Sequence, residues 1–94
     1  MPNYTFEIQN CKVFVKGGKP DKSKVWGKLM WTDGTADFEQ KFETFYADVI
    51  ATLEANKGAE ANFKVSGGMV ANAGYGDHKG KVFYQLLVSK IERI

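Results

Sequence analysis

The chain is poor in the residues that would tie it together covalently or hold a metal. It has one cysteine, Cys11, and one histidine, His78. A single thiol excludes an intrachain disulfide and fits a reducing compartment. Cys11 reads as a small buried apolar residue. A lone histidine without cysteine partners leaves no zinc ligand set. No apolar run approaches the ~20 residues needed to cross a bilayer. The opening MPNYTFEIQN lacks the basic and then apolar regions of a secretory signal. A soluble cytoplasmic protein is expected, in the host cytoplasm if the chain is viral, with no membrane partner. No Gly-Lys-Ser or Gly-Lys-Thr occurs, so there is no Walker phosphate loop. Asp77 and His78 are adjacent, but no serine or cysteine is placed to complete a triad. Asp37 and Glu39 share a strand face and read as solvated. These absences argue against an enzyme and imply no cofactor.

What is present is a strand-forming composition. Ninety-four residues make one domain, 1–94, with room for one small core. Aromatics make up 14% and there are ten glycines, which favours strands, tight turns and flat surfaces over a helical bundle. The net charge is +2, but it is segregated along the chain. Residues 1–32 hold six lysines against Glu7 and Asp21; residues 33–60 hold seven acids against Lys41 and Lys57; residues 61–94 are basic again. A basic front and an acidic back would steer a polyanion to one side.

Apolar residues alternate at Tyr4, Phe6 and Ile8, then slip parity to Cys11, Val13 and Val15. A period of two with one slip predicts a long first strand bent by a bulge near Gln9–Asn10. Its other face carries Lys12, Phe14 and Lys16. The stretch GGKPDKS is a turn bearing Lys19 and Lys22. A second strand over residues 24–32 puts Val25, Gly27, Leu29 and Trp31 on a core face, and Lys24, Trp26, Lys28 and Met30 on the other. Gly27 would allow a close approach or a bend. Asp33-Gly34 signals a hairpin into a third strand over 35–42, with Ala36, Phe38 and Phe42 facing one way. Phe45, Val49, Ile50 and Leu53 recur at helical spacing, predicting a helix over 44–56 with Thr44 as N-cap and Gly58 just past its end.

A long hairpin follows. Phe63 and Val65 alternate with polar neighbours, and Gly67-Gly68 loosens the strand as a bulge or close approach would. A Gly-rich tip carries Tyr75, His78, Lys79 and Lys81. Residues 82–91 read as a strand buried on both faces, with Val82, Tyr84, Leu86 and Val88 on one and Phe83, Leu87 and Ile91 on the other. The expected class is all-β with one helix, in the order β-β-β-α-β-β.

That order, with the helix between strands three and four and long loops between strands 1–2 and 4–5, resembles the five-stranded OB-fold barrel. The second half adds to it. Phe63-Lys64-Val65-Ser66-Gly67, a basic Gly-rich loop, and then Tyr84, Val88, Ile91 and Ile94 at their spacing resemble the end of single-stranded DNA-binding proteins of the bacterial and phage type. The opening Asn10-Cys11-Lys12-Val13-Phe14-Val15-Lys16-Gly17 matches that family only in part. The sequence also stops at Ile94 without the acidic tail of the bacterial members, so a short, tail-less, phage-like form is the nearer resemblance.

The resemblance implies a non-catalytic binder of single-stranded DNA with little sequence preference, acting in replication and recombination, with RNA left open as the nucleic acid. Such binding needs cations for phosphates and flat faces for unpaired bases. The candidate contacts are Lys12, Phe14, Lys16, Lys19, Lys22, Lys24, Trp26, Lys28, Lys64, Tyr75, Lys79 and Lys81. Trp31 and Phe83 read as packing residues instead. A protein-interaction module of the same fold, using the basic front against an acidic partner, is the alternative. If the chain forms a homo-oligomer, a dimer is favoured.

Overall fold

The computed structural model describes residues 3–74 and 76–94. The elements run β1 (Tyr4–Gly18), β2 (Val25–Thr32), β3 (Asp37–Thr44), α1 (Ala47–Ala55), β4 (Glu60–Ala73) and β5 (Val82–Arg93). A single 3-10 turn, Gly76–His78, lies in the last hairpin. The strands close into a barrel in the order β1-β2-β3-β5-β4. All neighbours are antiparallel except β3 and β5, which are parallel. This is the five-stranded OB-fold barrel with its single helix between β3 and β4.

Closure depends on the length and bend of β1. Its first half pairs with β4 and its second half with β2. The register with β4 slips between Ile8 and Cys11, and Asn10 sits in the left-handed region at φ 53°. The parity slip in the sequence is therefore a bulge, at the predicted place. It keeps Ile8, Cys11 and Val13 all pointing inward, with exposures of 3%, 0% and 0%. Asparagine tolerates this backbone better than a branched residue does.

The core gathers Val25 and Leu29 from β2, Phe42 from β3, Phe63 and Val65 from β4, and Leu86, Val88 and Ile91 from β5. The helix adds Val49, Ile50 and Leu53 and packs against β5 and β1. Full burial of such a side chain contributes about 1.5–3 kcal/mol. Two glycines let strands approach where a side chain could not fit. A β-carbon on Gly27 would collide with the Phe14 carbonyl, and one on Gly67 with the Leu87 carbonyl.

The boundaries of the third strand and the start of the helix differ from the sequence reading. The third strand occupies Asp37–Thr44, because Asp33 ties off the preceding turn by accepting the amides of Thr35 and Ala36 at 3.1 Å each. Thr44 is the last residue of that strand and does not cap the helix. Its hydroxyl donates to the Val88 carbonyl at 2.8 Å in the interior, and the helix starts at Ala47 after Tyr46. The helix ends as the sequence indicates, with Asn56 at the C-cap and Gly58 at φ +77°.

The last strand departs further. It is not buried on both faces. β3 pairs with β5 only at Phe42–Leu86 and Glu43–Leu87, so the start of β5 projects past the barrel. Val82, Phe83 and Tyr84 are exposed there, and Phe83 does not pack in the core as expected. Farther along, the β4–β5 register shifts between Ser66 and Gly67, leaving Ser89 as an extra residue on β5. That bulge puts Ile91 on the same inward side as Leu86 and Val88, not on the opposite face. Phe38 lies on the same side of β3 as Phe42, as expected, but beyond the core. It is 40% exposed and stacks on Trp31, with ring centroids 5.7 Å apart.

Candidate nucleic-acid interface

The outward face of β1, β2 and β3 is read from cross-strand register. Phe14 pairs with Lys28, and Lys28 with Lys41, so these three form one row across the sheet. The next row is Gly17, Trp26 and Glu43; the row on the other side is Lys12, Met30 and Glu39. Phe14 and Trp26 are diagonal neighbours, 41% and 40% exposed. Two aromatic rings thus stand on one surface with lysines between them. Lys16 occupies the bulge between Val15 and Gly17 and is exposed at the rim of this face.

The acids of β3 fall on the same face as the lysines of β2. Lys24 Nζ lies 2.9 Å from Glu43 Oε2, and Lys28 Nζ lies 3.3 Å from Glu39 Oε2. The segregation of charge along the chain therefore does not survive folding as a basic front and an acidic back. A β2–β3 hairpin puts adjacent segments side by side, whatever their signs. Lys24 and Lys28, both predicted phosphate contacts, have carboxylate partners. Lys12, Lys16 and Lys41 have no ion-pair partner among the described residues.

Glu43 is the buried member of this group, its side chain only 10% exposed. Asn72 Nδ2 donates to its Oε1 at 2.9 Å. Burial pushes the Glu43 carboxyl up, but the hydrogen bonds from Asn72 and Lys24 and the Lys24 charge outweigh it. The net shift is downward from the ordinary 4.5. A fixed carboxylate thus stands beside Trp26.

Two clefts adjoin at this point. One, of about 320 Å³, is lined by Lys24, Trp26, Glu43, Asn72, Ala73 and Gln85. The other, of about 470 Å³, runs between Lys41 on β3 and the projecting hairpin, reaching His78 and Phe83. They share Asn72, Ala73 and Gln85 and so form one groove from Trp26 to Phe83. Phe83 is 40% exposed, and His78 meets its ring edge-on at 5.4 Å.

The remaining predicted contacts lie in loops or elsewhere. Lys19 and Lys22 are exposed in the β1–β2 turn, where Lys22 adopts φ 60°. Ser23 holds that turn by donating from its hydroxyl to Asp21 at 2.7 Å and from its amide at 3.0 Å, which lowers the Asp21 pKa. Lys79 and Lys81 are exposed at the tip of the β4–β5 hairpin. Tyr75 lies outside the described residues. Lys64 is set apart from the aromatic face. It is registered between Glu7 on β1 and Glu92 on β5, in the β1-β4-β5 wall.

Lys41, Glu43, Asn72 and Gln85 were not singled out in the sequence. Alternation along β3 does put Lys41 and Glu43 on an outward face, but only the pairing with β2 shows that Lys28 and Trp26 share it.

No protein-family model and no curated protein matches the sequence. Solved structures do resemble the fold. The mitochondrial single-stranded DNA-binding protein Rim1 of S. cerevisiae superimposes with a TM-score of 0.65 at 10% identity, over 100% of this chain and 97% of its own. The P. falciparum single-stranded DNA-binding protein, in complex with single-stranded DNA, gives 0.67 at 6% identity, over 100% of this chain and 95% of its own. The chain therefore has, over its whole length, the OB-fold barrel that these proteins share.

Proposed function

We propose that this protein binds single-stranded DNA, without catalysis, across the outward face of β1, β2 and β3. The observation that carries the reading is the placement of Phe14 and Trp26 as exposed rings among Lys12, Lys28 and Lys41 on one registered surface. Unpaired bases stack on such rings at about 1–3 kcal/mol each, and lysines neutralise the phosphates between them. The two solved structures that the fold resembles are, by their own descriptions, single-stranded DNA-binding proteins.

On this reading Lys19, Lys22, Lys79 and Lys81 supply positive charge from the two long loops. The role is to cover single strands during replication or recombination, in the cytoplasm, as a monomer or a homodimer. Titration with oligo-dT tests it: tryptophan fluorescence should be quenched, duplex of equal length should compete poorly, and affinity should fall with salt. Equal affinity for duplex would overturn the reading. Oligo-rU, run alongside, decides whether RNA is also a ligand.

A further inference from the structure

A buried acid in the middle of a surface that attracts phosphates needs an explanation. Glu43 lines the groove between Trp26 and the projecting hairpin, together with Asn72 and Gln85. Its two oxygens are engaged by Lys24 at 2.9 Å and Asn72 at 2.9 Å. A carboxylate has about four lone-pair sites, so each oxygen can accept once more. Because the Asn72 amide nitrogen must face the carboxylate, its carbonyl oxygen faces away. Neither that oxygen nor the Gln85 amide has a side-chain partner among the described residues. The groove floor is thus polar and set to hydrogen-bond, and the Lys24–Glu43 pair leaves it no net positive charge to hold a phosphate. The adjoining cleft of about 470 Å³ is of the size that takes a small ligand group.

We infer that Glu43 is a specificity residue, which draws the edge of a base into this groove and favours one that presents an amino group, cytosine over uracil or thymine. This rests on the single-strand reading and sharpens it. Cytosine offers its N4 hydrogens to the carboxylate, as it does to acidic side chains elsewhere, and its N3 and O2 can accept from Gln85. Uracil and thymine present O4 at the same place, an acceptor facing an anion. Lys41, which lines the groove, and Lys12 and Lys16 elsewhere on the β1–β2–β3 face are then left to the backbone, and Trp26 and Phe83 to the base faces.

The test compares oligo-dC with oligo-dU of equal length at mildly alkaline pH, where cytosine is neutral. Uracil replaces thymine so that the methyl group plays no part. The wild type should bind oligo-dC about tenfold more tightly. Glu43→Gln should bring the ratio near one, chiefly by improving oligo-dU, since an amide can donate to O4. An oligomer of N4,N4-dimethylcytosine, which lacks the donor hydrogens, should lose the preference on wild-type protein, so the result does not depend on the variant folding. Equal or reversed affinities on wild type, or a preference kept by folded Glu43→Gln, would overturn the inference while leaving single-strand binding intact. Binding of neither oligomer would overturn both.

Discussion

The indole of Trp26 lies across Gly17, its strand partner, so closely that a β-carbon at Gly17 would stand 3.2 Å from the ring atoms Cε2, Cζ2 and Nε1. The missing side chain lets the ring lie down on the β1 backbone while the residue stays 40% exposed. A base platform held this way loses little side-chain freedom on binding. Trp26→Ala should weaken oligo-dT binding by about 1–3 kcal/mol with little change in thermal midpoint. Trp31→Ala should do the reverse. That residue is partly buried against the core and stacked on Phe38, so its loss should cost about 3 kcal/mol of stability. Calorimetric titration and thermal melts on the two variants separate the roles, and the opposite pattern would mean the faces of β2 are misassigned.

The row Phe14, Lys28 and Lys41 puts two cations beside one ring. Replacing both lysines with alanine should reduce the salt dependence of binding by about 0.7 in log–log slope for each phosphate no longer neutralised. Lys64→Ala should leave the slope where it was, because Lys64 stands between Glu7 and Glu92 in the other wall of the barrel. Binding isotherms at several salt concentrations check both outcomes.

Gly27→Ala and Gly67→Ala should each destabilise the barrel by about 3 kcal/mol or more, since the added methyl meets a backbone carbonyl and no flexible side chain can yield. Urea denaturation measures this. Gly17→Ala is the contrasting case. The three atoms nearest its methyl all belong to the Trp26 ring, which can tilt outward, so stability should hold while oligo-dT quenching changes.

The lowered pKa of Glu43 fixes the sign of one pH effect. Burial opposes ionisation, but the Asn72 and Lys24 interactions prevail, and the folded state favours the carboxylate. That stabilisation is present above the ordinary value of 4.5 and is lost as the pH falls through the lower folded value. Glu43→Gln should therefore be less stable than wild type at neutral pH, with the difference closing on acidification. Thermal midpoints measured across the acid range give the comparison.

Cys11 is fully buried, and burial pushes its thiol up to about 11, against a small opposing effect of a hydrogen bond with the Met30 backbone. It should stay protonated and resist alkylation at neutral pH. Labelling by iodoacetamide should become fast only in denaturant, along the same curve as unfolding. Rapid labelling of the native protein would show that β1 opens locally at its bulge.

The local features were legible in the sequence because they rest on short-range rules. Asn10 marks its bulge through the parity slip around it, Asp33-Gly34 marks a turn, and the alternation of Lys24, Trp26 and Lys28 marks an outward face. The helix start was not legible, because a distant strand holds Thr44 at the end of β3, where its hydroxyl accepts the Tyr46 amide at 3.3 Å while donating elsewhere. In the folded chain its hydroxyl bonds to Val88, which is 44 residues away. The exposure of Val82, Phe83 and Tyr84 was not legible either. Three adjacent apolar residues look the same whether a neighbouring strand covers them or stops short, and here β3 reaches only Leu86 and Leu87.

The sequence by itself determined the order of elements, the inward residues of β1 and β2, and the aromatic–lysine face, since period and turn chemistry act within a few residues. Only the tertiary structure decided what that face contains. Register between strands brings Lys41 beside Lys28 and sets Glu43 against Lys24 and Asn72. Those contacts depend on barrel closure, and no local pattern in the chain encodes them.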